Sequence, residues 1–356
     1  MQRRGFLTSL LAATAAPGLT WADAGSPAYL AAAQTNAGGF ALHGLTTGGD
    51  SLFALPLPAR GHAATAHPRR PLAVAFARRP GLYALVIDCA RGTVQARLTP
   101  PEGRQFNGHG TFSADGAVLY TAEQRADTSE GRIGLWDSTS WQRLDEIASH
   151  GIGPHDLRRL PFSDDLLVAN GGIATESTDR SKLNIPTMRP NLARLTPEGR
   201  LVSLAEPPEA LRQNSLRHLA LLPDGRAACA LQWEGDPAEM PPLLALWNDG
   251  RLSFHAPPLE LGDAMRNYAG SIAYGRATGE IALTSPKGGT VQVFDDRGSF
   301  LRNLRRADAC GVADGPGGFV VTDGNGALSR LTRDGLAPLT ALPLQWDNHL
   351  IALERA

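Results

Sequence analysis

Five of the chain's nine histidines open recurring segments: His62 in GHAATAHPRRPLAVAFAR, His109 in GHGTFSADGAVLYTAE, His155 in PHDLRRLPFSDDLLVAN, His218 in RHLALLPDGRAACALQ and His349 in WDNHLIALERA. Two further copies open on Ser271 (GSIAYGRATGEIALTS) and Cys310 (CGVADGPGGFVVTD). Imidazoles joined by a thiol and carboxylates are a natural donor set for a transition metal such as iron or copper. The pattern therefore predicts metal ligands at His62, His109, His155, His218, His349 and Cys310, with His109, His155, His218 and His349 as the leading four.

Such residues need a repeat to bring them together. Each segment reads as a strand, a polar turn and a second strand, followed by a third strand (LYALVIDCARG, IGLWDSTS, LLALWNDG, VQVFDDRG, LSRLTRDG) and a short fourth. Successive starts lie 39 to 63 residues apart with a mean of about 48, the length of a four-stranded propeller blade. The seventh copy begins at His349 with one strand, and its three missing strands are found in YLAAAQ, GFALHGL and SLFALPL near the other end. The expected fold is all-β, a seven-bladed β-propeller whose last blade pairs His349 to Glu354 with Tyr29 to Gln34. Only 209–214 and 259–267 look capable of a helical turn.

In an up-and-down blade, the start of the innermost strand and the end of the second share a face near the axis. The second-strand ends Arg78, Glu123, Asn170, Gln232, Ser285, Asp323 and Gln34 are thus expected beside the histidines. Among them Glu123, Asn170 and Gln232, with Arg217 next to His218, are candidate cofactor-binding residues that would orient the imidazoles. A plainer reading makes the Gly-His pairs purely structural, Cys310 a small packed residue and Ser271 a loop hydrogen-bonder. His43, His67, His150 and His255 fall in turns or outer strands and read as solvated surface. The insertion 171–191, carrying Glu176, Asp179, Arg180, Lys182 and Arg189, follows Asn170 and is expected to rise from the histidine face as a lid or docking loop.

Composition narrows the function classes. Across 356 residues, Lys plus Arg 34 against Asp plus Glu 35 gives a net charge of −1, which leaves no electrostatic footprint for nucleic acid. The start, Gln2-Arg3-Arg4-Gly5-Phe6-Leu7, with an apolar run and then Ala22-Asp23-Ala24, reads as a twin-arginine export signal over 1–24. That leaves a propeller over 25–356, exported folded to the periplasm, with no later stretch long enough to span a membrane. Three cysteines, an odd count, exclude a disulfide framework as the organising principle. The sequence contains no GxSxG elbow, HExxH, Walker loop or CxxCH.

The ordered blocks GHGTFSADGAVLYTAE, GIGPHDL, VANGGI with RSKLN, SLRHLA, GSIAYG with TSPKGG, and WDNHL resemble the bacterial family catalogued as domain of unknown function 1513. The resemblance covers nearly the whole mature chain. The chain differs at Asp156, where relatives more often carry Glu, and in QWEG, where a QYQG-like block is usual. It implies an exported seven-bladed propeller, often encoded beside imelysin-type iron-associated periplasmic proteins, hence a role in iron handling with such proteins as partners. The leading expectation is a monomeric periplasmic protein that binds iron or copper, or an iron cofactor such as haem, at a histidine-lined channel mouth. The alternatives are a metal- or haem-dependent oxidoreductase, a lactonase-like hydrolase, whose metal site would be oxygen-rich, and a protein-interaction scaffold with structural histidines.

Overall fold

In the strand Leu72–Ala77 every residue is buried, although its side chains alternate between two faces. Ala73, Ala75 and Ala77 pack on one side with Leu30, Leu42 and Ile87, while Val74 and Phe76 pack on the other with Phe106, Leu119 and Trp136. A sheet buried on both faces must lie between two other sheets, and a ring of radially stacked sheets meets that condition for every member. The fourth strand of the same blade, Thr93–Leu98, lies at the rim and is mostly exposed. Burial of Phe76 alone contributes about 2–3 kcal/mol of transfer free energy.

The computed structural model describes residues 18–79, 81–179 and 181–353. It contains seven four-stranded antiparallel sheets, each running in order from the axis outward, a seven-bladed β-propeller. Six blades are continuous in sequence; their inner strands are Gly61–Ala66, Arg104–Phe112, Pro154–Arg159, Asn214–Leu221, Ser271–Gly275 and Ala309–Gly315. The seventh takes its inner strand, Leu344–Ala352, from the C-terminal side and its other three, Tyr29–Thr35, Phe40–Leu45 and Ser51–Leu57, from the N-terminal side. The closing register pairs Tyr29 with Ala352 and Gln34 with Gln345. The closing strand thus begins five residues before His349, and Glu354 lies outside the described residues. Trp346 anchors the closure among Tyr29, Leu45, Val320 and Leu328.

Among the described residues helical structure is confined to short 3-10 turns, which include Glu209–Leu211 and Leu259–Met265 at the two expected places. A further turn, Trp21–Ala24, covers the ring's edge: Ala24 is buried and the Trp21 indole N–H donates to the His67 carbonyl at 2.9 Å. The twin-arginine residues lie outside the described residues; Ala22-Asp23-Ala24 forms this turn. Among the described residues no helix is long and apolar enough to cross a membrane.

Candidate metal centre

A regular strand directs alternate side chains to its two faces, so the inner strand of a blade would present its residues to the neighbouring blades rather than to the axis. Here the inner strands break that rule. Their register against the second strand slips between Gly61 and Ala64, Phe106 and Gly110, Pro154 and Asp156, and Leu216 and His218. The closing strand slips between Trp346 and Leu350. Each slip is a β-bulge, which adds residues on one strand and re-aims a side chain. All five are at a histidine: His62, His109, His155, His218 and His349. A sixth bulge holds Cys310 and Gly311, and the strand that carries Ser271 is regular.

The result is a packed cluster of imidazoles at the axis. Ring centroids are 4.6 Å apart for His218 and His349, 4.7 Å for His155 and His218, and 4.7 Å for His62 and His349. His109 is central, with centroid distances of 5.0, 5.3, 5.5 and 4.9 Å to His62, His155, His218 and His349. Two triads have donor atoms within 4.8 Å of one another: His62, His109 and His349; and His109, His155 and His218. Around a tetrahedral ion with metal–nitrogen bonds near 2.0–2.1 Å, donors sit about 3.4 Å apart, so binding would draw these atoms in by about 1.4 Å at most.

Glycine makes the approach of His62 and His109 feasible. Gly108 has φ +95°, a conformation that side-chain-bearing residues rarely adopt, and a Cβ there would stand 2.3 Å from Cδ2 of His62. The GHG triplet is therefore a spacing device as well as a bulge.

Electrostatics favour the ligating form. Burial, then the neighbouring imidazoles and arginines, hold His62, His155, His218 and His349 well below the ordinary histidine value of 6.5, so these rings are neutral at pH 7. Three of their nitrogens, His155 Nε2, His218 Nδ1 and His349 Nε2, are buried without a hydrogen-bond partner. Asp156 lies behind His109, its Oδ1 3.3 Å from Nδ1. Asp156 also accepts the Leu157 and Leu219 backbone N–H groups at 2.9 and 3.0 Å and pairs with Arg158 at 3.3 Å. Burial opposes its charge, yet Arg158, His109 and His218 hold the carboxyl well below the usual carboxylate range. A carboxylate on Nδ1–H leaves the Nε2 lone pair of His109 facing His62, 3.2 Å away.

His155 is different. Its Nδ1 lies 3.3 Å from both Arg79 Nη2 and Arg217 Nη1, donors that require the lone pair there and put the proton on Nε2. The fitting donor set is thus the triad His62, His109 and His349, while His155 is turned towards the two arginines and His218 belongs to the second triad.

The other sequence candidates divide. Gln232, Arg217 and Arg78 line a cavity of about 380 Å³ whose floor includes His62, His155 and His218. Glu123 does not reach the cluster; it makes a bidentate pair with Arg143 at 2.8 and 2.9 Å and accepts Thr121 at 2.6 Å. Asn170 is held by Ser149 and Asn191 at 2.7–2.8 Å. Ser285 bonds the Met265 carbonyl, and Asp323 pairs with Arg306. These residues lie one strand out from the axis, where side chains point into the space between blades. Cys310 is outside both triads; its thiol lies 3.2 Å from the Asp308 carbonyl, and burial and Asp308 push its pKa up, which disfavours the ligating thiolate.

His43 and His67 are buried, contrary to the solvated reading, against Trp346 and under the Arg69–Arg70 turn respectively. The insertion does rise from the cavity side: Ile173, Thr175, Asp179 and Lys182 form one wall. Sequence reasoning missed Asp156, Arg79, Arg60, Asn107, Tyr268 and Asp347. The doublet Arg78-Arg79 directly after a second strand was the one available signal for a charged mouth.

The fold has solved parallels. Hydrazine synthase of Kuenenia stuttgartiensis aligns with a TM-score of 0.60 at 13% identity over 95% of this chain and 99% of that one. A chain of a mitotic checkpoint complex aligns with a TM-score of 0.55 at 12% identity over 79% of this chain and 77% of that one. At such identities the likeness is of fold alone. No curated protein matches the chain. The profile of the family described as protein of unknown function (DUF1513) matches residues 55–353, which contain the five bulged histidines and Asp156, and the chain belongs to that family.

Proposed function

We propose that the protein binds a transition metal ion, iron or copper, at His62, His109 and His349, and that it serves metal handling in the periplasm. The observation that carries this is the bulge at every axial histidine. Five strands each give up regular pairing to aim a ring at one point, and three of the rings there, His155, His218 and His349, keep a buried nitrogen without a hydrogen-bond partner. A structural plug would be served more cheaply by aliphatic side chains, since a buried polar atom without a partner costs about 1–3 kcal/mol. The all-imidazole set with a carboxylate behind His109 suits a first-row metal and lacks the oxygen ligands of a lactonase-type site. Haem fits poorly: among the described residues Ile173 is the one aliphatic side chain lining the cavity, where a porphyrin needs an apolar slot. The periplasmic placement rests on the twin-arginine-like start.

The test is elemental analysis of protein purified from the periplasm, beside His109→Ala and His349→Ala. One equivalent of iron or copper in the parent, lost in both variants, supports the reading. Metal that survives both substitutions, or its absence from the parent after titration with either ion, removes it.

A further inference from the structure

Above the histidines, the 380 Å³ cavity is lined, among the described residues, by five cationic side chains, Arg60, Arg78, Arg79, Lys182 and Arg217, against two carboxylates, Asp179 and Asp347. Arg60 is paired with Asp347 at 2.6 Å, and Lys182 and Arg217 share Glu234 behind the wall. Arg79 and Arg217 converge on the same nitrogen, Nδ1 of His155. Arg217 is 7% exposed, and its Nε has no hydrogen-bond partner. Asn107 Oδ1, at the same cavity, is also buried and unpartnered. A buried arginine with spare donors is the usual recognition element for a carboxylate or phosphate.

We propose that this mouth is a binding site for a small organic polycarboxylate, held by Arg79 and Arg217 over His155. Size decides between organic and mineral anions: pockets of roughly 300–1,000 Å³ take whole small molecules, and inorganic phosphate would leave most of this one empty. Gln232, Asn107, Asn348 and the Tyr268 ring add amide and phenol groups suited to hydroxyl and carbonyl substituents. The site stands independently of the metal reading, because every group in it except the floor histidines lies outside the donor set.

The experiment is calorimetric titration of metal-free, full-length mature protein with citrate, succinate and inorganic phosphate. Citrate is expected to bind one to one and more tightly than phosphate. Arg79→Gln should weaken citrate binding at least tenfold while the thermal midpoint stays near the parent's, and Arg79→Lys should restore part of the loss. Arg217→Lys, which keeps the charge opposite Glu234, should also weaken citrate. Three outcomes overturn the proposal: no citrate binding, phosphate binding as tight as citrate, or citrate affinity unchanged in both Arg79→Gln and Arg217→Lys. Because the protein is metal-free throughout, loss of the metal reading leaves the result standing, and the reverse holds.

Discussion

Nδ1 of His109 and Oδ1 of Asp156 lie 3.3 Å apart across the boundary between two blades, and the same carboxylate accepts the Leu219 N–H of a third. One side chain thus registers three inner strands against one another and fixes which nitrogen of the central imidazole carries the proton. Asp156→Asn keeps an acceptor for the backbone N–H groups but removes the charge. Metal affinity is expected to fall 10–100-fold, the usual cost of removing a carboxylate behind a ligating histidine. Competition titration with a chromogenic chelator measures it, and an unchanged affinity would take Asp156 out of the site.

Gly108→Ala places a methyl group 2.3 Å from the His62 ring at a backbone angle of +95°. The variant should fold with a stability loss of about 1–3 kcal/mol in urea denaturation, together with weaker metal binding. Gly38→Ala, also at positive φ but with open space around it, should lose stability alone.

Glu123 separates structural from ligand roles. It is fully buried and tied to Arg143, so Glu123→Ala should cost about 3–5 kcal/mol of stability by leaving that guanidinium without its main partner. Metal stoichiometry in the folded fraction should not change, as the side chain is held by Arg143 and does not reach the axial cluster.

His67 sets a pH response away from the axis. Its Nδ1 accepts the backbone N–H groups of Arg69 and Arg70 at 3.0 and 2.9 Å. Burial, then the Arg70 guanidinium, lowers its pKa to about 4. Between pH 6.5 and about 4 the unfolded chain takes up a proton at this position that the folded chain refuses, so stability falls as pH drops through that window and is level above it. The buried axial histidines add to the same slope. His67→Asn, whose carbonyl oxygen can take over the two N–H groups, should flatten part of it in denaturation midpoints measured from pH 7 to 4.

The sevenfold architecture could be read from the sequence because each blade repeats a strand-turn-strand unit, and the closure followed from one strand left over at His349 and three at the other end. The axial histidines could be read because equivalent positions in a ring must meet. The bulges could not. Residue 155 and residue 156 follow each other on a strand, and alternation would send Asp156 away from any site containing His155. Only the slip between Pro154 and Asp156 lets His155 face the axis while Asp156 reaches His109. The same alternation, wrongly suspended, placed Glu123 and Asn170 at the channel; both obey it and point between blades. Buried His43 and His67 were missed because burial in a propeller comes from neighbouring blades, which local polarity does not report.

The seam of the ring has a kinetic meaning. Tyr29 pairs with Ala352, and such a contact is entropically slow to form, since almost all the chain must be gathered before it can be made. Until Leu344–Ala352 emerges from the ribosome, the three N-terminal strands wait with an unpaired edge and the hydrophobic seat of Trp346 stays open. His349 travels on that last strand, so the imidazole cluster is completed only in the step that closes the ring. A chain stopped short of Leu344 would lack the seal and the cluster together, and an open edge is the kind of surface that chaperones and proteases recognise. Closure and site assembly are one event, and the protein carries in its topology a check on its own completeness.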